Sequence, residues 1–190
     1  MKTTFWILLS LFGILFGSFR SDFQIDSSKN DDVYFKAYEH VSKDKEFSDK
    51  LKNYYQDLSD CPTLNFSYYS RVKPIKANDF PIYLLSKTSL LSGYENLEDL
   101  DQIELEKLFY SIYDFEEFNT SFQNGSEKKP DCKIMLTFSK KVNNYLPIKF
   151  EIFDLNVDPR IVYAPRTGLY IIEYDTNDKI IDSEYLLFSH

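Results

Sequence analysis

Residues 132–152 read CKIMLTFSKKVNNYLPIKFEI, and this stretch decides the fold. Apolar and polar side chains alternate along two runs, which is the period-two pattern of β-strands with one buried face. The inward positions of the two runs are Ile134, Leu136 and Phe138, then Ile148, Phe150 and Ile152. Lys149 and Glu151 fall on the opposite side of the second run. Asn143-Asn144 lies between the runs and favours a turn, so the stretch predicts an antiparallel hairpin.

The chain after this hairpin continues the same pattern. Residues 169–174 and 179–188 are apolar-rich runs on either side of a Thr-Asn-Asp turn at 176–178, which predicts a second hairpin. Residues 63–69 alternate enough for one further strand. We therefore expect an antiparallel meander of about four or five strands.

Helical spacing dominates the chain before the meander. Apolar residues recur at intervals of three and four across about residues 32–58, which predicts two helices or one bent helix. Residues 97–118 carry a clearer apolar stripe, with Asp101 and Glu104 spaced as a capping box. Helices followed by an antiparallel meander predict an α+β domain, in which N-terminal helices pack on one face of a C-terminal sheet.

The amino terminus has the layout of an export segment. Residues 1–20 begin with a short positive region and continue as an almost unbroken apolar run at 5–19. This pattern predicts a secretory signal peptide, with an uncleaved membrane anchor as the alternative. The polar residues 21–32 are predicted to tether this segment to a single α+β domain at 33–190. We expect the protein to be periplasmic, in the cell envelope or secreted, and to contact the membrane through residues 1–20 if they are retained.

The composition of the chain argues against one class of function and indicates a folded protein. The chain has 190 residues, with 22 Lys+Arg against 30 Asp+Glu and a net charge of −8. Binding to nucleic acid requires a basic face that neutralises phosphates, so we expect no nucleic-acid partner. A hydrophobic content of 43% is enough for a folded globule with its own core.

Cys61 and Cys132 are the two cysteines of the sequence. In an exported protein they can form a disulfide, and two separately buried thiols are the alternative. Neither cysteine has a histidine close in sequence that would generate a reactive thiolate, so we expect no catalytic cysteine.

The segment Leu136-Thr137-Phe138-Ser139-Lys140-Lys141-Val142 is followed by a second strand and then a terminal hairpin. This part of the chain, about 55 residues, resembles the terminal meander of many exported proteins of Bacteroidota, although Lys141 stands where a proline is common. That group has no activity that can be carried across. The resemblance implies an envelope or secreted location.

Motifs of common reaction centres are absent from the sequence, which has no nucleophile elbow, phosphate-binding loop or dinucleotide fingerprint. His40 and His190 cannot form the paired-histidine zinc motif. The Asp/Asn-rich segment at 154–158 is followed by proline where an EF-hand loop needs glycine, so an ordinary turn is the better interpretation. We expect no metal site, no cofactor and no catalytic residue of these types.

Carboxylates leave one catalytic alternative open. Two acids near the end of the helix at 97–118 could act as general acid and nucleophile on a glycoside, with a solvated helix face as the competing interpretation. The candidates are Asp114, Glu116 and Glu117.

Aromatic residues make up 17% of the chain, and tyrosine suits binding surfaces because it offers contact area and a hydroxyl group. One tyrosine of each adjacent pair, at 54–55 and 68–69, is needed for the core, which leaves the other for the surface. The predicted binding patch comprises Tyr54, Tyr55, Tyr68, Tyr69 and Arg71. An AT-rich genome would encode the same aromatic bias, which is the competing explanation.

These patterns predict a small, acidic, non-catalytic exported protein that binds a protein or glycan partner at the cell envelope or outside it. One alternative is a carboxylate-based hydrolase acting on polysaccharide. The other is a structural accessory subunit of the envelope.

Overall fold

The computed structural model describes residues 27–55, 58–76, 80–120, 132–152 and 166–188. The export segment predicted at 1–20 and the turn predicted at 154–158 lie outside these residues, as does His190. Among the described helices, none is long and apolar enough to cross a membrane.

Two separate helices open the described chain, α1 (Ser27–Lys43) and α2 (Lys45–Tyr54). Asp44 lies between them in an extended conformation and caps α2, because its side chain accepts a hydrogen bond from the Phe47 backbone N–H at 2.9 Å. The sequence predicted either two helices or one bent helix, and this cap shows that there are two helices. α1 begins at Ser27, inside the segment predicted as a tether.

The described residues 80–120 contain the short α3 (Ile82–Leu85), 3-10 turns at Ser89–Leu91 and Leu97–Asp99, and α4 (Gln102–Tyr113). Asp101 and Glu104 form the predicted capping box at the start of α4. The helix predicted at 97–118 is shorter than expected, since Leu97–Asp99 forms a separate 3-10 turn and Phe118–Asn119 is extended.

The predicted meander is present as a five-stranded sheet. Its order is β1 (Asn65–Tyr68), β4 (Lys133–Phe138), β5 (Tyr145–Ile152), β6 (Arg166–Tyr174) and β7 (Ile180–Leu187). Strands β4 to β7 pair antiparallel with their neighbours, whereas β1 pairs parallel with β4. A separate two-stranded ribbon joins β2 (Arg71–Val72) to β3 (Phe118–Asn119).

The first face of the sheet is covered by α1 and α2. Buried residues of these helices are Tyr34, Ala37, Val41, Phe47 and Leu51. They share one core with sheet residues Phe66, Tyr68, Ile134, Leu136, Phe138, Ile148, Phe150, Ile152, Tyr170 and Ile172. All the inward positions predicted for β4 and β5 therefore point into this core.

The second face of the sheet has its own, smaller core. It consists of Ile75, Phe80, Leu85, Leu90, Leu91, Leu105, Phe109, Tyr113, Leu169, Ile171 and Phe188. The prediction that the helices pack on one face is therefore wrong for α4, which packs on the face opposite α1 and α2. The physical reason lies in β6, where Leu169 and Ile171 alternate with Tyr170 and Ile172, so that both sides of the strand are apolar and both need cover.

A disulfide joins Cys61 to Cys132, with their Cα atoms 5.9 Å apart. Cys61 is buried in the first-face core, and Cys132 immediately precedes β4. The bridge therefore fixes the chain that enters β1 to the beginning of the neighbouring strand. It closes a loop across a sequence separation of 71 residues.

Candidate binding cleft

A cleft of about 290 Å³ opens on the second face of the sheet, where the apolar cover ends. Its floor is formed by Thr137 of β4 with Lys149 and Glu151 of β5. These residues alternate with the buried first-face positions of the same strands, so they necessarily point the other way. Ile75, which is buried in the second-face core, forms the boundary between that core and the cleft.

The floor of the cleft carries a close ion pair. Lys149 Nζ lies 3.3 Å from Glu151 Oε1, and the two side chains are only 19% and 16% exposed. Residues two apart on a strand share a face, which places their side chains side by side. The pair keeps both charges compensated although they are largely withdrawn from solvent.

One wall of the cleft is formed by residues that directly follow β1 in the chain, and backbone hydrogen bonds hold this segment in place. The Tyr69 N–H donates to the Leu136 carbonyl and the Lys73 N–H donates to the Phe138 carbonyl, both at 2.9 Å. The Tyr69 side chain is 41% exposed, and Lys73 Nζ lies 5.9 Å from its ring centroid. The backbone that carries the ring and the ammonium group is therefore held against the adjacent strand.

The two-stranded ribbon places Glu117 at the opposite side of the cleft. Arg71 pairs with Asn119 across the ribbon, and Glu117 immediately precedes β3. Arg71 Nη1 lies 3.4 Å from Glu117 Oε2, with both side chains about half exposed. A second tie comes from Thr120, whose N–H donates to the Ser70 carbonyl at 2.7 Å.

The charge of the cleft is opposite in sign to that of the whole chain. Lys149 compensates Glu151, and Arg71 compensates Glu117. Lys73 and Lys76 also line the cleft, and neither makes an ion pair with another residue in the part of the chain that the structure describes. An acidic protein thus presents at its concave surface two ammonium groups that have no ion-pair partner among the described residues.

The Tyr69 hydroxyl responds to these charges. Burial raises its pKa, the Glu151 carboxylate raises it further, and Lys149 lowers it. A tyrosine hydroxyl is protonated at neutral pH, and the raised pKa moves its ionisation further from that range, so it can both donate and accept a hydrogen bond.

The predicted tyrosine patch divides between the core and two separate surfaces. Tyr55 and Tyr68 are buried, at 4% and 8% exposure, whereas Tyr54 and Tyr69 are exposed. The Tyr55 hydroxyl donates to the Phe188 carbonyl at 2.7 Å, just beyond β7. Because β7 and β1 are opposite edges of the sheet, Tyr54, whose ring adjoins Tyr55, does not meet Tyr69.

Two of the five patch residues belong to the cleft region. Tyr69 lines the cleft, and Arg71 pairs with a residue that lines it. Of the predicted carboxylates, Glu117 lines the cleft, while Asp114 and Glu116 are exposed residues that do not. The sequence analysis missed Lys73 and Lys76. It did place Lys149 and Glu151 on the polar side of the strand that is β5, and this was the sequence signal for the floor of the cleft.

A second polar cluster joins the helices to the first face of the sheet. The Tyr170 hydroxyl donates to Asp44 Oδ2 at 2.5 Å and lies 2.9 Å from Ser183 Oγ. Burial and the hydrogen bond to Asp44 raise the Tyr170 pKa. Ser183 therefore adjoins a protonated phenol, which cannot act as the base that a nucleophilic serine needs.

The His40 ring lies 6.3 Å from the Tyr170 ring, and its Nε2 is buried without a hydrogen-bond partner among the described residues.

Within the described ranges, no group of three or more His, Cys, Asp or Glu side chains is arranged to hold a metal ion. No family model, no curated protein and no solved structure matches this chain.

Proposed function

We propose that the protein is a small non-catalytic exported protein that binds a macromolecular partner through the cleft, at the cell envelope or outside the cell. The observation that carries this proposal is that Lys73, Lys76 and the exposed Tyr69 ring line the same cleft. Uncompensated charges and an open aromatic ring contribute little to packing, but they are groups that recognise ligands.

The disulfide supports the exported location, because such bonds form and persist in oxidising compartments. The apolar segment at 5–19 and the resemblance of the terminal meander to exported proteins of Bacteroidota support the same location.

A hydrolase is the second candidate, because Glu117 and Glu151 line the same cleft. Glycoside hydrolysis requires one carboxyl group that carries a proton and a second that is ionised. Each of these carboxylates is engaged in an ion pair, Glu117 with Arg71 at 3.4 Å and Glu151 with Lys149 at 3.3 Å, so neither can reach a glycosidic bond without leaving its partner. The arrangement thus favours binding over acid catalysis.

The proposal is tested by comparing two double variants of the tagged full chain in its native host. Lys73→Gln with Lys76→Gln removes the uncompensated charges of the cleft. Lys45→Gln with Lys50→Gln makes the same charge change on exposed positions of α2, over the other face of the sheet. After cross-linking, the protein and glycan retained with each variant are quantified.

We expect saturable retention of one partner by the wild type and by the α2 variant, with a loss of about tenfold or more in the cleft variant. Equal retention by all three proteins would refute the proposal. Turnover of a glycan panel that disappears with Glu117→Gln would establish the hydrolase instead.

A further inference from the structure

We infer that the cleft takes a carboxylated sugar unit of an acidic polysaccharide. This inference rests on the proposed function and specifies its ligand class. It follows from three properties of the cleft: its charge, its hydrogen-bonding groups and its size.

The charge of the cleft requires an anionic group on the ligand. Lys73 and Lys76 lie on either side of Pro74-Ile75, and Ile75 is 3% exposed. The buried Ile75 and the hydrogen bond of the Lys73 N–H to β4 fix the backbone between the two lysines. A ligand carboxylate near them would gain a charge-assisted hydrogen bond that no described protein group provides.

The two glutamates argue against a ligand that carries negative charge alone. Glu117 and Glu151 also line the cleft, and because carboxylate oxygens accept hydrogen bonds, they favour a ligand that has several hydroxyl donors beside its anionic group. A sugar acid fits this arrangement, because its hydroxyl groups can donate to the glutamates while its carboxylate faces the lysines. Thr137 and the protonated Tyr69 hydroxyl add two groups that both donate and accept hydrogen bonds.

The Tyr69 ring and the cleft volume fit one or two sugar units. The ring is 41% exposed, so it offers an apolar surface on which the C–H face of a sugar can lie. The volume of about 290 Å³ lies just below the roughly 300–1,000 Å³ typical of small-molecule sites. A concavity of this size accepts a unit of a polymer more readily than the surface of a folded protein.

The test is isothermal titration calorimetry of the full chain with four probes. The first two are oligogalacturonates and the same oligosaccharides with their carboxyl groups reduced to alcohols. The other two are polyglutamate and inorganic phosphate. Each titration is repeated with the cleft variant Lys73→Gln/Lys76→Gln and with the α2 control variant Lys45→Gln/Lys50→Gln.

We expect binding of oligogalacturonate that weakens about tenfold or more when its carboxyl groups are reduced, and by as much in the cleft variant. The α2 control variant should bind as the wild type does. Added salt should weaken the binding, because exposed charges are screened. Tyr69→Ala should lower the affinity as well, whereas Tyr83→Ala, at an exposed tyrosine outside the cleft, should not.

Several outcomes would overturn the inference. Equal binding of the reduced oligosaccharide would exclude carboxylate recognition, and tighter binding of polyglutamate or phosphate would show that the glutamates do not select the ligand. If no probe binds but the cleft variant still loses its native partner, the ligand class is wrong and the proposed function stands. If neither probe binding nor partner retention depends on the cleft lysines, both proposals fail.

Discussion

The two faces of the sheet differ, although the same strands build both. On the first face, β4 and β5 present Ile134, Leu136, Phe138 and the apolar residues that follow in β5, all buried under α1 and α2. On the second face, the same two strands present Thr137, Lys149 and Glu151. β6 is apolar on both sides.

This difference shows how one sheet can serve both stability and recognition. The apolar cover on the second face includes Tyr145 of β5 and Leu186 of β7 beside β6, and it ends where β4 and β5 present Thr137, Lys149 and Glu151 on that side. The uncovered area is the cleft. The first face should therefore carry most of the stability, whereas the polar half of the second face should be energetically neutral.

Removing Phe47 should give the largest effect. Its ring is fully buried in the first-face core and lies 4.8 to 6.2 Å from the rings of Phe66, Phe150, Tyr170 and Tyr185. We expect Phe47→Ala to lower the free energy of unfolding by about 3–5 kcal/mol in urea denaturation. Phe35→Ala, at a position of the preceding helix that is 45% exposed, is the matched control and should cost much less. Similar losses for the two variants would mean that the first face does not dominate.

Removing the disulfide should give the next largest effect, because it fixes the chain entering β1 to the start of β4. Replacing both Cys61 and Cys132 by alanine should lower the free energy of unfolding by up to about 4 kcal/mol in the chain-entropy model. Denaturation of the wild type with and without reductant gives an independent measurement. A difference below about 1 kcal/mol would show that β1 is held to β4 by packing alone.

Removing the Tyr170 hydroxyl tests the polar link between α2 and the first face. Tyr170→Phe deletes the hydrogen bond to Asp44 and the contact with Ser183, which leaves one carboxylate oxygen of the α2 cap without this donor. We expect a loss of about 1–3 kcal/mol in chemical denaturation. Tyr83→Phe, which is 59% exposed, should leave stability unchanged. An unchanged midpoint for Tyr170→Phe would contradict a role for the link in stability.

Changing the cleft lysines should give the smallest effect on stability. Lys73→Gln with Lys76→Gln should alter the free energy of unfolding by less than about 0.5 kcal/mol, because neither side chain pairs with another charge of the described chain. Thermal denaturation followed by circular dichroism measures this change. A marked destabilisation would place these lysines in the framework of the fold and remove the contrast between the two faces.

Much of the fold could be predicted because its signals are local. The period-two alternation gave the inward residues of β4 and β5, and the spacing of Asp101 and Glu104 gave the start of α4. The second face was missed, because the alternation within one strand does not say which helix covers which side. The parallel pairing of β1 with β4 was missed because the alternation within one strand does not say which strand lies beside it or in which direction that strand runs.

The candidate cleft could be predicted only in part. Adjacent tyrosines signalled one buried and one exposed ring in each pair, and this division is present at 54–55 and 68–69. The meeting of Tyr69, Lys73 and Glu117 with the polar side of β5 had no sequence signal, since these residues lie as many as 82 positions apart.

The amino-acid sequence by itself determined the strands of the five-stranded sheet, the capping box of α4 and the two cysteines available for pairing, because each depends on neighbouring residues or on composition. Only the tertiary structure decided which distant charged residues form ion pairs and which have no ion-pair partner among the described residues. Arg71 meets Glu117 although 46 positions separate them, while Lys73 and Lys76 face the cleft. Ion pairs depend on distances of a few ångströms between groups, and for segments far apart in the chain only the packed sheet and ribbon set those distances.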